Sequence, residues 1–208
     1  MWCYASVMSP RRRSDDDARM RDAERTRAAL LDAALVEFAA KGRAGARVSD
    51  IAERAGVNKQ LISYYFGGKD GLYDAILERW YAEEDRFDEP GITLDELASR
   101  YLRVGLNQPL LQQLFIRELL DDAADDAAHA TDAPELAGLH ARQASGEIAE
   151  DLDPAFVLLM LQGMVVAHSL FRRDAVRFTG MHVDSPEYQR RAEEQLRAIV
   201  RRFAAPET

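Results

Sequence analysis

Apolar residues recur at helical spacing along most of the 208-residue chain. Leu30, Ala34 and Phe38 stand at i, i+4 and i+8, with Leu31 and Leu35 beside them, which predicts an amphipathic helix over about Asp22 to Lys41. Gly42 can close it. A second, short helix is predicted from Ser49 to Ala55, with Ile51, Ala52 and Ala55 turned inward. Gly56 then supplies the backbone freedom a sharp turn needs. Asn58 suits the N-cap of a third helix ending at Phe66, and Gly67-Gly68 breaks the run. A fourth helix starts near Lys69 and ends by Asp88, before Glu89-Pro90-Gly91.

The remainder is also patterned as helices. Thr93, with Glu96 three residues on, reads as a capping box opening a helix to Leu106. Helices follow over Pro109 to Leu120 and over Ala133 to Ser145, the latter closed by Gly146. Asp153-Pro154 opens a long apolar helix to about Arg177, and Ser185-Pro186 opens a last one to about Ala204. No strand-like alternation and no internal repeat is visible. The expected class is all-α, with about nine helices. Residues 1–21 mix Ser, Pro, an arginine triplet and an aspartate triplet without helical period; they read as a disordered tail, with a basic arm through Arg11 to Arg13 as the alternative.

Composition narrows the picture in three ways. The net charge is −9, but it is unevenly placed: residues 1–69 carry 13 Lys and Arg against 9 Asp and Glu, and residues 70–208 carry 14 against 27. A local excess of +4 thus sits on the first helices and −13 on the rest, and local charge decides contact with phosphates. Cys3 is the only cysteine, which excludes a disulfide framework within the chain and fits a reducing cytoplasm. The longest apolar stretch, Ala155 to Ala167, is interrupted by Gln162 and Gly163 and falls short of the roughly 18 residues a membrane span needs. Arg11 to Arg13 follow the small apolar patch at the N-terminus instead of preceding it, unlike a secretory signal. A cytoplasmic protein with no membrane partner is expected.

The helix predicted over residues 58–66 carries the most chemistry. At 100° per residue Lys59, Gln60, Ser63 and Tyr64 fall on one arc, while Ile62 points the other way. Lysine can pair with guanine O6 and N7, and glutamine with adenine N6 and N7. Tyr64 and Tyr65 can donate to phosphates, and Lys69 at the next helix start can hold another. A short helix, a glycine turn and a polar second helix are the layout that places one helix in a DNA major groove.

At these residues the chain resembles the tetracycline-repressor (TetR) family. The shared pattern is Ile51, Ala52, Ala55, Gly56 and Val57, then Tyr64, Tyr65 and Phe66, then Lys69, and it is specific over about residues 24–84. Two positions depart from it. Arg47 stands where the family usually has Thr or Ser capping the second helix, and Ser63 stands where Tyr is frequent. The resemblance implies a helix-turn-helix domain over 22–70, with its motif at about 47–66, and an effector-binding and dimerisation domain over 71–208. The DNA-binding set is then Arg47, Ser49, Lys59, Gln60, Ser63, Tyr64, Tyr65 and Lys69. It also implies a homodimer joined through the last two helices. Phe156, Met160 and Met164 on one, and Tyr188, Ala192, Leu196, Ile199 and Phe203 on the other, are the candidate interface. A small-molecule effector of unknown identity would lie among the middle helices, with Tyr101, Gln112, Phe115, Met160, Met164 and His168 as candidate lining residues.

Other chemistry is not indicated. Asp121, Asp122, Asp125 and Asp126 lack the spacing of a calcium loop, and His129, His140, His168 and His182 are too scattered for a local metal site. No cofactor, metal or catalytic motif is expected, so the chain is not read as an enzyme. The expected function is a ligand-responsive transcriptional regulator, a repressor that binds a near-palindromic double-stranded operator as a homodimer. The alternative from a different class is a helical protein–protein interaction module that binds no operator.

Overall fold

The computed structural model describes residues 10–84, 87–89, 91–122 and 134–204. Ten α-helices and one short 3-10 turn, with no strand, make up the described residues. They group into two compact units, residues 1–79 and 80–208.

The first unit contains α1 (Pro10–Gly45), α2 (Val48–Ala55), α3 (Gln60–Phe66) and the opening of α4 (Lys69–Glu84). Leu30, Phe38, Ile51, Ile62 and Leu72 are fully buried and form its core. The ring of Phe38 meets that of Tyr73 edge-on, with centroids 5.0 Å apart. The stripe expected on the first helix is therefore the one that is buried. Helix α1, however, starts at Pro10, so residues 10–21, expected to be a tail, are helical. Pro10 suits a first helical position, and the residues that follow it are an arginine triplet, a serine and an aspartate triplet. Such a run leaves no apolar period to read. Residues 1–9, with Cys3, lie outside the described residues. Gly42, with a left-handed φ of 71° and a ψ of 172°, breaks the helix where its end was expected, and residues 43–45 form a further turn beyond that kink.

Gly56 closes α2 in the left-handed conformation (φ 67°, ψ 30°). Its N–H donates to the Glu53 carbonyl at 3.1 Å, and that of Val57 donates to Ala52 at 3.0 Å. The orphan carbonyls at the end of α2 are thereby satisfied, and the chain reverses into α3. Asn58 caps α3 as expected: its side-chain oxygen accepts from the Gln60 N–H at 2.9 Å. At Gly71 a Cβ would lie 1.9 Å from the Phe66 carbonyl oxygen, so the start of α4 and the end of α3 approach more closely than any side chain there would permit.

The second unit holds α5 (Leu94–Asn107), α6 (Pro109–Asp122), α7 (Pro134–Ala144), α8 (Pro154–Leu170), α9 (Arg172–Thr179) and α10 (Pro186–Val200), followed by the 3-10 turn Arg201–Phe203. Helix α5 packs against both α8 and α10. Leu102, Ile148, Val157, Tyr188, Leu196 and Val200 are among the residues buried around it. Asp153 and Ser185 cap α8 and α10, accepting from the Ala155 and Tyr188 amides at 2.8 and 3.2 Å.

Two local expectations are corrected here. The long apolar helix does not run to Arg177; it ends at Leu170, and α9 leaves it at 85°. Phe171 sits at the corner with non-helical backbone angles (φ −104°, ψ 37°). A one-residue corner barely disturbs the apolar period, so the pattern reads as continuous. Thr93 and Glu96 also form no capping box. The Thr93 hydroxyl donates to Asp95 at 2.6 Å and caps no amide of the helix, and the Leu94 N–H donates to the Glu147 carboxylate. Glu96 faces Arg103 at 2.7 Å and Arg197 at 2.8 Å. Both residues of the expected box have other partners, which spacing alone does not reveal.

Candidate nucleic-acid interface

Helix α3 is anchored by one residue and displays the others. Ile62 is completely buried, whereas Lys59, Gln60, Ser63 and Tyr64 are exposed on the opposite arc, Tyr64 at 79%. Tyr65 is half-buried; its ring meets Tyr64 edge-on at 5.0 Å and Phe66 at 6.3 Å. The Phe66 ring in turn lies under the Arg27 guanidinium at 5.1 Å. The aromatic pair thus supports the polar arc from behind while the Tyr64 hydroxyl stays in solvent.

The entry to α2 is built differently from a side-chain cap. Arg47 occupies the N-cap position with extended backbone and makes no side-chain cap bond; it is exposed, as is Ser49. The Ser49 hydroxyl donates to Asp50 at 3.1 Å. Asp50 also accepts from Lys41 at 2.8 Å, and Lys41 is paired with Glu37, which is only 4% exposed. Hydrogen bonds from Lys41 and Ser49 hold the Asp50 carboxyl below its ordinary value, against a small opposing effect of desolvation. This α1–α2 tie was not read from the sequence. Glu37 stands on the apolar stripe beside Phe38, and a charged residue there gives no hint of a partner in another helix.

Lys69 is placed at the start of α4 as expected, but its ammonium turns away from that helix end. It donates to the carbonyls of Ala44 and Ala46 at 3.2 and 3.4 Å.

In the second unit the candidate effector residues do not form one group. Tyr101 and Phe115 belong to a chain of ring contacts that also includes Trp80 and Phe87: Trp80 lies 5.3 Å from Phe115 and 5.9 Å from Phe87, and Phe87 lies 5.3 Å from Tyr101. The Tyr101 hydroxyl donates to Glu84 at 2.8 Å. Trp80 lies within the predicted fourth helix and Phe87 at its predicted end, and neither position in the sequence points to the rings it meets. The Gln112 carboxamide sits beside Gly105, where a Cβ would come within 3.0 Å of it. Met164 packs on the α5–α8–α10 core, whereas Met160 is 58% exposed. A cleft of about 760 Å³ opens beside Asp88, Thr93, Arg142, Ser145 and Glu147, and none of the six candidates lines it.

His168 is half-buried with Nδ1 2.6 Å from the Tyr188 hydroxyl, which donates to it when the neutral ring carries its proton on Nε2. Burial lowers the His168 pKa from 6.5. The unfolded chain therefore takes up this proton more readily than the folded one. Stability from the neutral pair is complete above about pH 6.5 and falls as pH drops through the folded value, by at most about 1.4 kcal/mol per pH unit. Urea midpoints of wild type and His168→Gln between pH 7.5 and 5 should converge towards the acid end; parallel curves would show that this histidine does not titrate in the window.

The candidate interface residues divide in the same way. Tyr188 and Leu196 are buried within the single chain, and Met164, Ala192 and Phe203 pack against that same core. Phe156, Met160 and Ile199 are exposed at 64%, 58% and 46%. A helical stripe shows that a face is covered but not whether the cover comes from the same chain.

A bihelical turn with an exposed polar second helix, set in an all-α chain, defines the helix-turn-helix class of DNA-binding proteins. Residues 30–76 match the family model described as bacterial regulatory proteins, tetR family. Residues 30–76 are thus similar to the TetR family of bacterial regulatory proteins. It is 49% identical over 59 residues to the HTH-type transcriptional repressor SCO4008 of Streptomyces coelicolor, spanning 28% of this chain and 31% of that one. It is 37% identical over 102 residues to the HTH-type transcriptional regulator RutR of Escherichia coli, spanning 46% and 48%. The chain thus matches about half or less of these curated relatives. The fold extends further: SCO4942 of Streptomyces coelicolor superposes with a TM-score of 0.69 at 24% identity, over 88% of this chain and 99% of that one. The ketosteroid transcriptional regulator KstR2 of Mycobacterium tuberculosis does so with 0.63 at 17% identity, over 87% and 95%. Among the described residues, no single helix is long and apolar enough to cross a membrane.

Proposed function

We propose that this protein is a transcriptional repressor that binds a near-palindromic DNA operator as a homodimer and is released by a small molecule. The observation that carries this reading is the arc of Lys59, Gln60, Ser63 and Tyr64, held outward by buried Ile62. Gln60 is a bidentate partner for adenine and Lys59 for guanine, with Arg47, Ser49, Tyr64 and Tyr65 on phosphates. One such helix reads too few base pairs. Two, carried by a dimer at about 34–36 Å, read successive major grooves.

The effector would act through α4, the helix that contains both Lys69 and Trp80. It would favour a conformation in which the two recognition helices no longer match the groove spacing, and could shift operator affinity only by its preference between the two states. The ring chain around Trp80 supports an aromatic or apolar effector site in the second unit. The tryptophans are Trp2 and Trp80, so in a Trp2→Phe variant, emission reports on Trp80 alone.

Selection of bound sequences from a random DNA pool tests the reading. The selected sites should be inverted repeats. Gln60→Ala should then cost about 1–3 kcal/mol and relax preference at one base pair per half-site, with the slope of affinity against salt unchanged. Equal losses on all sequences, or no enrichment at all, would refute the assignment.

A further inference from the structure

Lys69 invites a phosphate-contact role because of its place in the chain, yet the geometry gives its ammonium another task. The last carbonyls of a helix have no partner within it, and the negative end of the helix dipole lies there. The Lys69 Nζ is at hydrogen-bond distance from the carbonyl oxygen of Ala44, in the turn that ends α1 beyond Gly42, and from that of Ala46, in the connection that follows. The side chain is half-buried and spans more than twenty residues of sequence to reach them. A second tie runs in parallel: the Arg43 guanidinium lies 3.1 Å from Asp70 and 3.7 Å from Asp74, and stacks over Tyr73 at 4.9 Å. The next residue along from Ala46 is Arg47, exposed and without a cap bond of its own.

We propose that Lys69 is a positioning residue: it clamps the α1–α2 connection and so fixes the direction of Arg47, and it is Arg47 that meets the DNA backbone. The phosphate contact rests on the DNA-binding reading above; the clamp does not.

Two measurements on the full-length protein test this. The first is amide hydrogen exchange without DNA. Lys69→Met should speed exchange at residues 44–48 about tenfold, since two charge-assisted bonds to carbonyls are lost there, and leave α3 unchanged. Lys69→Arg should restore protection. The second is the salt dependence of affinity for a selected operator. Each phosphate contact contributes a slope of about 0.9. Lys69→Met and Arg47→Met should each lower the slope by about 0.9, and the double variant by no more than either, because both remove the same contact. A double variant whose slope falls by about 1.8, with multiplicative affinity losses, would make Lys69 a phosphate ligand in its own right and overturn the proposal. If the wild-type chain selects no DNA, the operator reading fails; exchange then decides the clamp, and unchanged exchange at residues 44–48 overturns it.

Discussion

On the proposed reading, replacing Phe156 and Met160 together with glutamate should turn the proposed dimer into monomers and lower affinity for a selected operator by at least about a hundredfold. On α8 the outward arc is Phe156, Leu159, Met160 and Gly163; the first three are 64%, 56% and 58% exposed, while Val157 and Leu161 on the opposite face are buried. A helix apolar on both faces needs cover on both, and contiguous exposed apolar surface marks an interaction site. A second copy of α8 is the proposed cover, with Gly163, whose missing side chain leaves open space, permitting close approach. Two glutamates per chain would put four uncompensated carboxylates into one interface, each costing several kcal/mol when buried unpaired. The substituted residues are already in solvent in the single chain, so the unfolding midpoint of the monomer should barely move. Gln113→Glu, on an exposed position of α6, is the control for added charge. Sedimentation equilibrium reads the assembly, and operator titration reads the loss of the linked second half-site. A wild-type monomer, or a double variant that still dimerises, would remove α8 as the interface.

How much of this was legible depended on whether the partner of each residue was near in sequence. The turn at Gly56, the Asn58 cap and the buried Ile62 are local chemistry, and all were read correctly from spacing. The helices of the second unit were also visible, because an apolar period survives without knowledge of what covers it. What spacing could not supply was the covering element. Tyr188 and Leu196 look like an interface stripe and are core. Glu96 pairs with Arg197 of α10 where a local capping box would have turned it back to Thr93. Lys69 reaches back to α1. Each is a contact between residues more than twenty positions apart, where charge or apolar character gives the kind of partner but not its address. The effector residues were hardest for the same reason: Tyr101 and Phe115 are linked through the rings of Trp80 and Phe87.

One such long-range contact carries the largest expected effect on folding. The Asp95 carboxylate is 8% exposed and accepts from Arg197 and Arg201 at 2.9 Å each and from Thr93 at 2.6 Å. It joins the first turn of α5 to the end of α10 and the turn beyond it. Burial works against its ionised form, but the hydrogen bonds from Thr93, Arg197 and Arg201 outweigh that and hold its pKa below the ordinary 3.8. Asp95→Ala removes the carboxylate that bridges Arg197 and Arg201. Breaking a buried pair costs about 3–5 kcal/mol when the survivor stays buried. Here Arg201 is 61% exposed and returns to water, and Arg197 keeps Glu96 at 2.8 Å. The cost should therefore be nearer 2–3 kcal/mol, or about 5–10 °C in Tm for a protein of this size. Asp95→Asn keeps one acceptor and should lose about half as much. Because the folded pKa is depressed, this stability is fully present above about pH 4 and disappears as pH falls through the folded value. Urea unfolding of the second unit, followed by Trp80 emission in the Trp2→Phe background, should show a gap between Asp95 and Asp95→Ala proteins that is constant from pH 7 to 5 and closes below pH 4. A gap that persists unchanged at pH 3 would mean that packing of the side chain, not its charge, joins the two helices.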